Sequence, residues 1–226
     1  MQIVVVSSPG RGPGPHWSKA LTAEFCALSA ARGAAVRWLA PLHLDEESPA
    51  GGDGVQVLPF RRPRSYKLSQ VAASQVDVPV ERAMTDSLRA EPRSVVVHVG
   101  LGGQGAPNVL WLADRLGSRT FACVRGAELV CHRGDLLDRD KRICSDWSDA
   151  DRCRWCCSTS WWAKPRANDL RNRVDLFLAA LNTCEAIAVP EEQDVERVTG
   201  LGVAADRVQL GASAEALVAQ VFGDGR

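Results

Sequence analysis

Short apolar runs alternate with amphipathic segments over nearly the whole chain. The first run, 2–6, is almost entirely β-branched, which is typical of a strand covered on both faces. A loop rich in glycine and proline follows at 7–15, and apolar residues then recur at helical spacing from Trp17 to Ala31. Gly33 stands where a helix end favours a left-handed residue. This order predicts the strand, loop and helix that open a doubly wound α/β domain.

The alternation continues to the carboxyl end of the chain. Further strands are predicted at 35–40, 55–59, 94–99, 119–124, 185–189 and 207–210. Helices are predicted at 80–89, in a segment ending at 116, and at 168–181, 191–199 and 213–222. Because strands and helices alternate, a parallel sheet is expected. The predicted fold class is α/β: a single Rossmann-like, doubly wound parallel sheet in one domain, 1–226, with a cysteine-rich insert at 131–166.

Loops at the carboxyl ends of the first, fourth and fifth strands should share one rim, where ligands bind in such sheets. The candidate ligand-binding residues on this rim are Gly10, Gly12, Gly14, His16, His98, Gly102, Gly103, Arg125 and Glu128. Backbone amides of the glycine loops and the positive end of the first helix favour an anion or a hydroxyl-rich group. For the two histidines, a hydrogen-bonded structural role is the alternative. No catalytic residue is assigned.

Charge and composition exclude some classes of function. The chain has 27 basic and 27 acidic residues, and a net charge of zero argues against a general nucleic-acid binder. No secretory leader opens it, and no apolar run approaches the roughly 20 residues of a membrane span. A cytoplasmic location, at most peripheral to the inner membrane face, is therefore expected. The eight cysteines are then expected to be thiols or metal ligands rather than disulfides.

The insert at 131–166 contains the strongest candidate for a metal site. Cys153 and Cys156 have the CxxC spacing of a knuckle, in which a tight turn brings two thiolates to one metal ion. Cys131 and Cys144 would complete a site of four thiolates. Because the insert has little apolar content, metal binding would supply much of its folding free energy. Structural zinc is the preferred interpretation; metal-free thiols and an iron–sulfur cluster are the alternatives.

Two further points about the insert stay open. Cys157 competes with Cys156 as a ligand, and His132 is another substitute. Three tryptophans interleave with basic residues, at Trp155, Trp161 and Trp162. They suit a membrane interface, a lipid-linked acceptor or a partner protein, or else they pack under the zinc loop.

Several segments, in order, resemble the amino-terminal half of family 4 glycosyltransferases of the GT-B type. The resembling segments are 5–12, 28–36, 95–99, 108–113, 131–137, 186–191 and 202–208. The resemblance implies an acceptor-binding domain of a bacterial-type hexosyltransferase, with a glycan or a lipid-linked acceptor. It also implies a partner, because the family binds the sugar nucleotide mainly in a second, carboxy-terminal Rossmann domain.

The chain departs from the family pattern at two strand ends. Arg125-Gly126 stands where the family commonly has His-Asp, and Gly100 replaces a second histidine after the fourth strand. An arginine does not serve as a general base at neutral pH, and the family's donor-binding acidic motif has no counterpart here. The expected function is an acceptor-binding half that needs a separately encoded donor-binding domain. The alternative is a non-catalytic, zinc-stapled Rossmann-like module that binds a protein or glycan. A complete nucleotide-dependent enzyme ranks last, because the first glycine loop lacks the dinucleotide fingerprint.

Overall fold

A computed structural model describes residues 1–7, 17–42, 47–61, 78–91, 93–101, 107–131, 136–145, 149–157 and 167–223. The strands are β1 (Gln2–Ser7), β2 (Ala35–Leu42), β3 (Val55–Arg61), β4 (Val95–Val99), β5 (Arg119–Cys123), β6 (Ala186–Val189) and β7 (Val208–Leu210). The α-helices are α1 (Trp17–Ala31), α2 (Val78–Ala90), α3 (Asn108–Arg115), α4 (Gly126–Val130), α5 (Ala150–Cys157), α6 (Ala167–Leu181), α7 (Glu192–Gly200) and α8 (Ala214–Phe222). A 3₁₀ turn covers Ala205–Arg207.

The described strands form one parallel sheet in the order β3-β2-β1-β4-β5-β6-β7. Strand order reverses at β1, which pairs with β2 on one side and β4 on the other, so the two neighbours lead away in opposite directions. This confirms the predicted doubly wound, Rossmann-like sheet, with its switch point between β1 and β4.

Apolar side chains cover both faces of the central strands. On one face, Val5 and Val97 pack with Phe25 of α1 and Leu217 of α8. The opposite face is covered by α2, α3, α6 and α7 through two further clusters of buried residues. Every residue of β1 and β4 is buried, as expected for strands of a two-sided parallel sheet.

The predicted elements are found within a few residues of their expected bounds, and two end signals act as expected. Ser213 accepts a hydrogen bond from the Ala216 amide at 3.2 Å and so caps α8. Gly33 ends the first helix with a left-handed φ of 81°. Among the described helices, none combines the length and apolar character that crossing a bilayer requires.

The sequence pattern does not reveal two short helices, α4 and α5. The prediction that Cys153 and Cys156 lie in a tight turn is wrong, because both belong to the helix α5. This helix has Asp151 in its first turn and Arg154 in its last, which suits the helix dipole. The CxxC spacing still puts Cys153 and Cys156 on the same side of α5, since residues three apart lie on one face of a helix.

Candidate functional site

The candidate rim lies at the carboxyl ends of β1, β4 and β5. Six predicted site residues, Gly10, Gly12, Gly14, His16, Gly102 and Gly103, lie outside the described residues. The structure does place His98, Arg125 and Glu128 at or beside this edge. The exit from β4 is fixed by Gly100, which has a φ of 76° and donates its amide to the Cys123 carbonyl at 2.8 Å.

His98 is the predicted site residue with the most unusual surroundings. It lies on β4 beside Val6 and Ala122 and is fully buried. Among the residues that the structure describes, neither ring nitrogen has a hydrogen-bond partner of good geometry. Burial lowers its pKa from 6.5 to about 3, although the Gly100 backbone acts in the opposite direction. The ring is therefore neutral, and the rim as described offers it no contact with solvent.

Arg125 and Glu128 meet over one aromatic side chain. The Arg125 guanidinium carbon lies 4.9 Å from the centre of the Trp17 ring. The Trp17 indole donates from Nε1 to Glu128 Oε1 at 2.9 Å. Glu128 is 7% exposed, whereas Arg125 is exposed. The rim thus joins a buried carboxylate, an indole and an exposed cation at the start of α1.

The charges of Glu128 and Arg125 also act on Cys123, at the end of β5. Burial is the main cause that raises the pKa of the Cys123 thiol to about 12. The Glu128 carboxylate raises this pKa further, and the Arg125 cation lowers it. Cys123 is fully buried, as are Cys26 and Cys184, so these three thiols serve as small core residues.

Arg173 of α6 holds the far end of α4. Its Nη1 donates to the Leu129 carbonyl at 2.7 Å and its Nη2 to the Glu128 carbonyl at 2.5 Å. The guanidinium also lies 4.4 Å from the centre of the Phe177 ring. A cation that binds the last carbonyls of a helix is favoured by the helix dipole. Sequence analysis missed this residue because only the packing of α6 brings it to α4.

Gly126 joins β5 to α4 in a space that admits no larger residue. Its amide donates to Asp194 Oδ1 at 2.9 Å, and the same oxygen accepts from Arg197 Nη1 at 3.0 Å. A Cβ at this position would lie 2.8 Å from the Arg197 Cβ and 2.9 Å from Asp194 Oδ1. Gly126 is therefore required by the close approach of α7, which the sequence pattern did not reveal.

One further polar contact ties down the end of β1. Trp38 of β2 donates from Nε1 to Ser7 Oγ at 2.9 Å, and both side chains are buried. Ser7 is the last residue of β1 before the first glycine loop. The contact fixes the end of β1, and the spacing of Ser7 and Trp38 in sequence carries no sign of it.

The four predicted metal ligands, Cys131, Cys144, Cys153 and Cys156, lie in the described part of the insert and are partly buried. None forms a disulfide. In the part of the chain that the structure describes, no three His, Cys, Asp or Glu side chains are arranged as a metal-coordinating group. Burial raises the pKa of Cys153 to about 11, and the charges of the other three thiols each add to the rise. The Cys153 thiol therefore interacts electrostatically with the other three, although the four do not form a coordination shell.

A separate groove lies beside β7 and α8. It has a volume of about 530 Å³. Its polar lining includes Glu185, Arg207, Gln209 and Gln220. None of the predicted site residues lines it, and it shares no residue with the Trp17–Arg125–Glu128 group.

No protein-family model matches this chain. No curated protein matches it either. Among solved structures, it is similar to the Phytolacca americana UGT2 complexed with UDP-2fluoro-glucose and pterostilbene, with a TM-score of 0.45 and 15% sequence identity. The match covers 86% of this chain and 48% of that one, so the chain spans about half the length of the plant protein. At this level of similarity the fold rests on its own strand order and not on the likeness.

Proposed function

We propose that this chain is the acceptor-binding half of a GT-B-type glycosyltransferase, and that it binds a hydroxyl-rich acceptor carrying an anionic group. The observation that carries the proposal is the Trp17–Arg125–Glu128 group on the rim beside the switch point. An aromatic surface with a few convergent polar groups is typical of small-molecule sites. The resemblance to family 4 glycosyltransferases in the sequence supports the acceptor class.

Arg125 is assigned to the anionic group of the acceptor. It is exposed and its guanidinium is held over the Trp17 ring, so little conformational freedom is lost on binding. Charge-assisted hydrogen bonds from arginine to phosphate or carboxylate are about twice as strong as neutral ones. A phosphate-bearing sugar or lipid-linked glycan therefore fits this position.

Glu128 is assigned to positioning and not to proton transfer. One carboxylate oxygen already accepts from Trp17, and its own backbone carbonyl accepts from Arg173. These contacts hold α4 and the indole in a fixed relation. The donor sugar nucleotide would then come from a donor-binding domain of the GT-B type.

The test is ligand-observed NMR with a panel of monosaccharides and the matching sugar phosphates. We expect sugar phosphates to bind more tightly than neutral sugars, and Arg125→Ala to weaken their binding about tenfold. Arg115→Ala is the matched control, because Arg115 also lies over an indole, that of Trp111, at 4.6 Å. Equal losses in both variants, or no binding by the parent chain, would overturn the proposal.

The second candidate is a non-catalytic binding module that uses the insert. The observation in its favour is the exposure of two apolar side chains there, Ile143 at 82% and Trp155 at 46%. In this case Ile143→Ser and Trp155→Ser would abolish the association of the chain with a purified partner protein. Arg125→Ala would leave that association unchanged. The opposite pattern would favour the rim.

A further inference from the structure

Four cysteines lie on three separately folded parts of the insert, and the charges of Cys131, Cys144 and Cys156 each act on the Cys153 thiol. Cys131 directly follows α4, and its amide donates to the Ala127 carbonyl at 2.9 Å. Cys144 follows a small antiparallel bridge between Leu137 and Ile143, and its amide donates to the Leu136 carbonyl at 2.7 Å. The remaining two, Cys153 and Cys156, lie one turn apart on α5. Each part fixes its thiol through backbone contacts that are independent of any metal.

Polar contacts dock α5 onto the small bridge. The Cys156 Sγ lies 3.8 Å from the Leu137 carbonyl oxygen. Arg152 of α5 lies 3.8 Å from the Asp138 carboxylate, which is buried. That carboxylate also accepts from the Asp140 and Arg142 amides at 2.9 Å each and so shapes the turn. The two segments that contribute Cys144 and the CxxC pair are therefore held face to face.

The described part of the insert has little apolar burial with which to maintain this arrangement. Ile143 and Trp155 are both exposed, and the Arg139 guanidinium lies 5.4 Å from the centre of the Trp155 ring. Small units without a sufficient core are commonly stabilised by a disulfide or a metal ion. No disulfide links the described cysteines. Four cysteine thiolates are a preferred ligand set of structural zinc.

We propose that Cys131, Cys144, Cys153 and Cys156 bind one structural zinc ion that joins α4, the Leu137–Ile143 bridge and α5. Because the described side chains do not yet form a coordination shell, binding draws the four sulfur atoms together. The thiol protons leave to solvent as the zinc–sulfur bonds form, with no change in oxidation state. This proposal is independent of the proposed acceptor, since it rests on other residues.

Zinc at this position also holds the rim. Cys131 is the residue after α4, and α4 carries the Glu128 carboxylate that holds Trp17. Arg173 holds the same helix from the α6 side. A metal bond at Cys131 therefore fixes the second side of α4, and its loss loosens the helix without unfolding the sheet.

The test measures bound zinc in the full chain after purification without added metal. We expect about one zinc per chain, falling below about 0.2 in Cys153→Ser and in Cys156→Ser. Cys26→Ala is the matched control, because this thiol is buried in the sheet core and not in the insert. Cys157→Ser tests the adjacent thiol and should keep its zinc. Loss of zinc from Cys157→Ser, or full zinc in both test variants, overturns the ligand set.

Two measurements on the parent chain test the proposal even if the cysteine variants fail to fold. Cobalt substitution should give the intense visible absorption of a tetrahedral thiolate site. Chelation should raise hydrogen exchange at 127–131 and 137–144 while the amides of β1 and β4 stay protected. Iron with its own visible absorption in the purified chain, or exchange that is unchanged by chelation, overturns the zinc assignment.

Discussion

The parallel sheet and the insert at 131–166 are stabilised in different ways. The side chains of β1 and β4 are buried on both faces, and the sheet is held by apolar packing with α1, α8 and the helices opposite. In the described part of the insert, Ile143 and Trp155 stay exposed, and Asp138 supplies hydrogen bonds in place of a core. Apolar burial makes the sheet one cooperative unit. The insert can therefore open locally while the sheet remains folded.

The largest expected effect is on the sheet. Phe25 is fully buried in the core between α1 and the sheet, so Phe25→Ala should lower the free energy of unfolding by about 3–5 kcal/mol. Trp155→Ala, in the insert, should change it by less than about 1 kcal/mol because the ring is already half in solvent. Urea unfolding measures both. Similar losses in the two variants would mean that the insert and the sheet unfold as one unit.

Two glycine substitutions test the connection between β5 and α4, through which the sheet leads into the insert. Gly126→Ala should cost about 1–3 kcal/mol of unfolding free energy, since its Cβ would press on Arg197 and Asp194. Gly200→Ala is the control, because the described residues outside its own helix turn place no atom within 4 Å of the position that its methyl group would take at the end of α7. The control should be neutral or slightly stabilising, as alanine is the better helix former. Thermal unfolding of both proteins gives the comparison, and equal melting temperatures would contradict the close approach of α7.

The buried histidine of the sheet, His98, should make a pH-dependent contribution to stability. The folded-state pKa of His98 is about 3, below the usual 6.5, so the unfolded chain binds its proton first. The stability linked to the neutral ring is fully present above pH 6.5 and is lost as the pH falls towards 3. At pH 5 the loss relative to neutral pH is about 2 kcal/mol.

His98→Leu removes this titration and leaves every other group in place. Its unfolding free energy at pH 5, measured in urea, should therefore fall by about 2 kcal/mol less than that of the parent chain. At neutral pH the substitution should be well tolerated, because the ring nitrogens have no hydrogen-bond partner of good geometry to lose within the described part of the chain. Parallel pH profiles for the two proteins would show that His98 reaches solvent or a partner in the folded chain.

The smallest expected effect is local to the insert. Asp138→Ala removes the acceptor of two backbone amides and the partner of Arg152, at a cost of about 1–2 kcal/mol in the opening of this turn. Hydrogen exchange at the Asp140 and Arg142 amides measures that opening. Asp140→Ala is the control, since Asp140 is exposed in the same turn. Faster exchange in β4 as well would contradict the independence of the two regions.

The sequence predicts the sheet well because its signal is repeated and local. Each strand is a short apolar run, and each helix has its own periodic face, so element type and order can be predicted one segment at a time. The end signals at Gly33 and Ser213 also act through neighbouring residues. Short polar helices such as α5 carry no such pattern, which is why the spacing of Cys153 and Cys156 wrongly predicts a turn.

The contacts at the rim could be predicted from the sequence only in part. The sequence predicts that Arg125 and Glu128 lie at the correct edge of the sheet, because the carboxyl end of a predicted strand can be located in sequence. The sequence does not predict the contact of Trp17 with Glu128 or that of Arg173 with α4, since these contacts join residues more than forty positions apart.

The sequence by itself determined the α/β class, the parallel sheet and the set of four candidate cysteines, because all three depend on local pattern and spacing. Only the tertiary structure decided that His98 is buried with no hydrogen-bond partner of good geometry among the described residues, that Gly126 leaves no room for a Cβ, and that Trp17 is held between Arg125 and Glu128. The physical reason is the same in each case. Burial, close approach and hydrogen bonding across the sheet depend on which distant segments pack together, and a linear pattern does not contain that information.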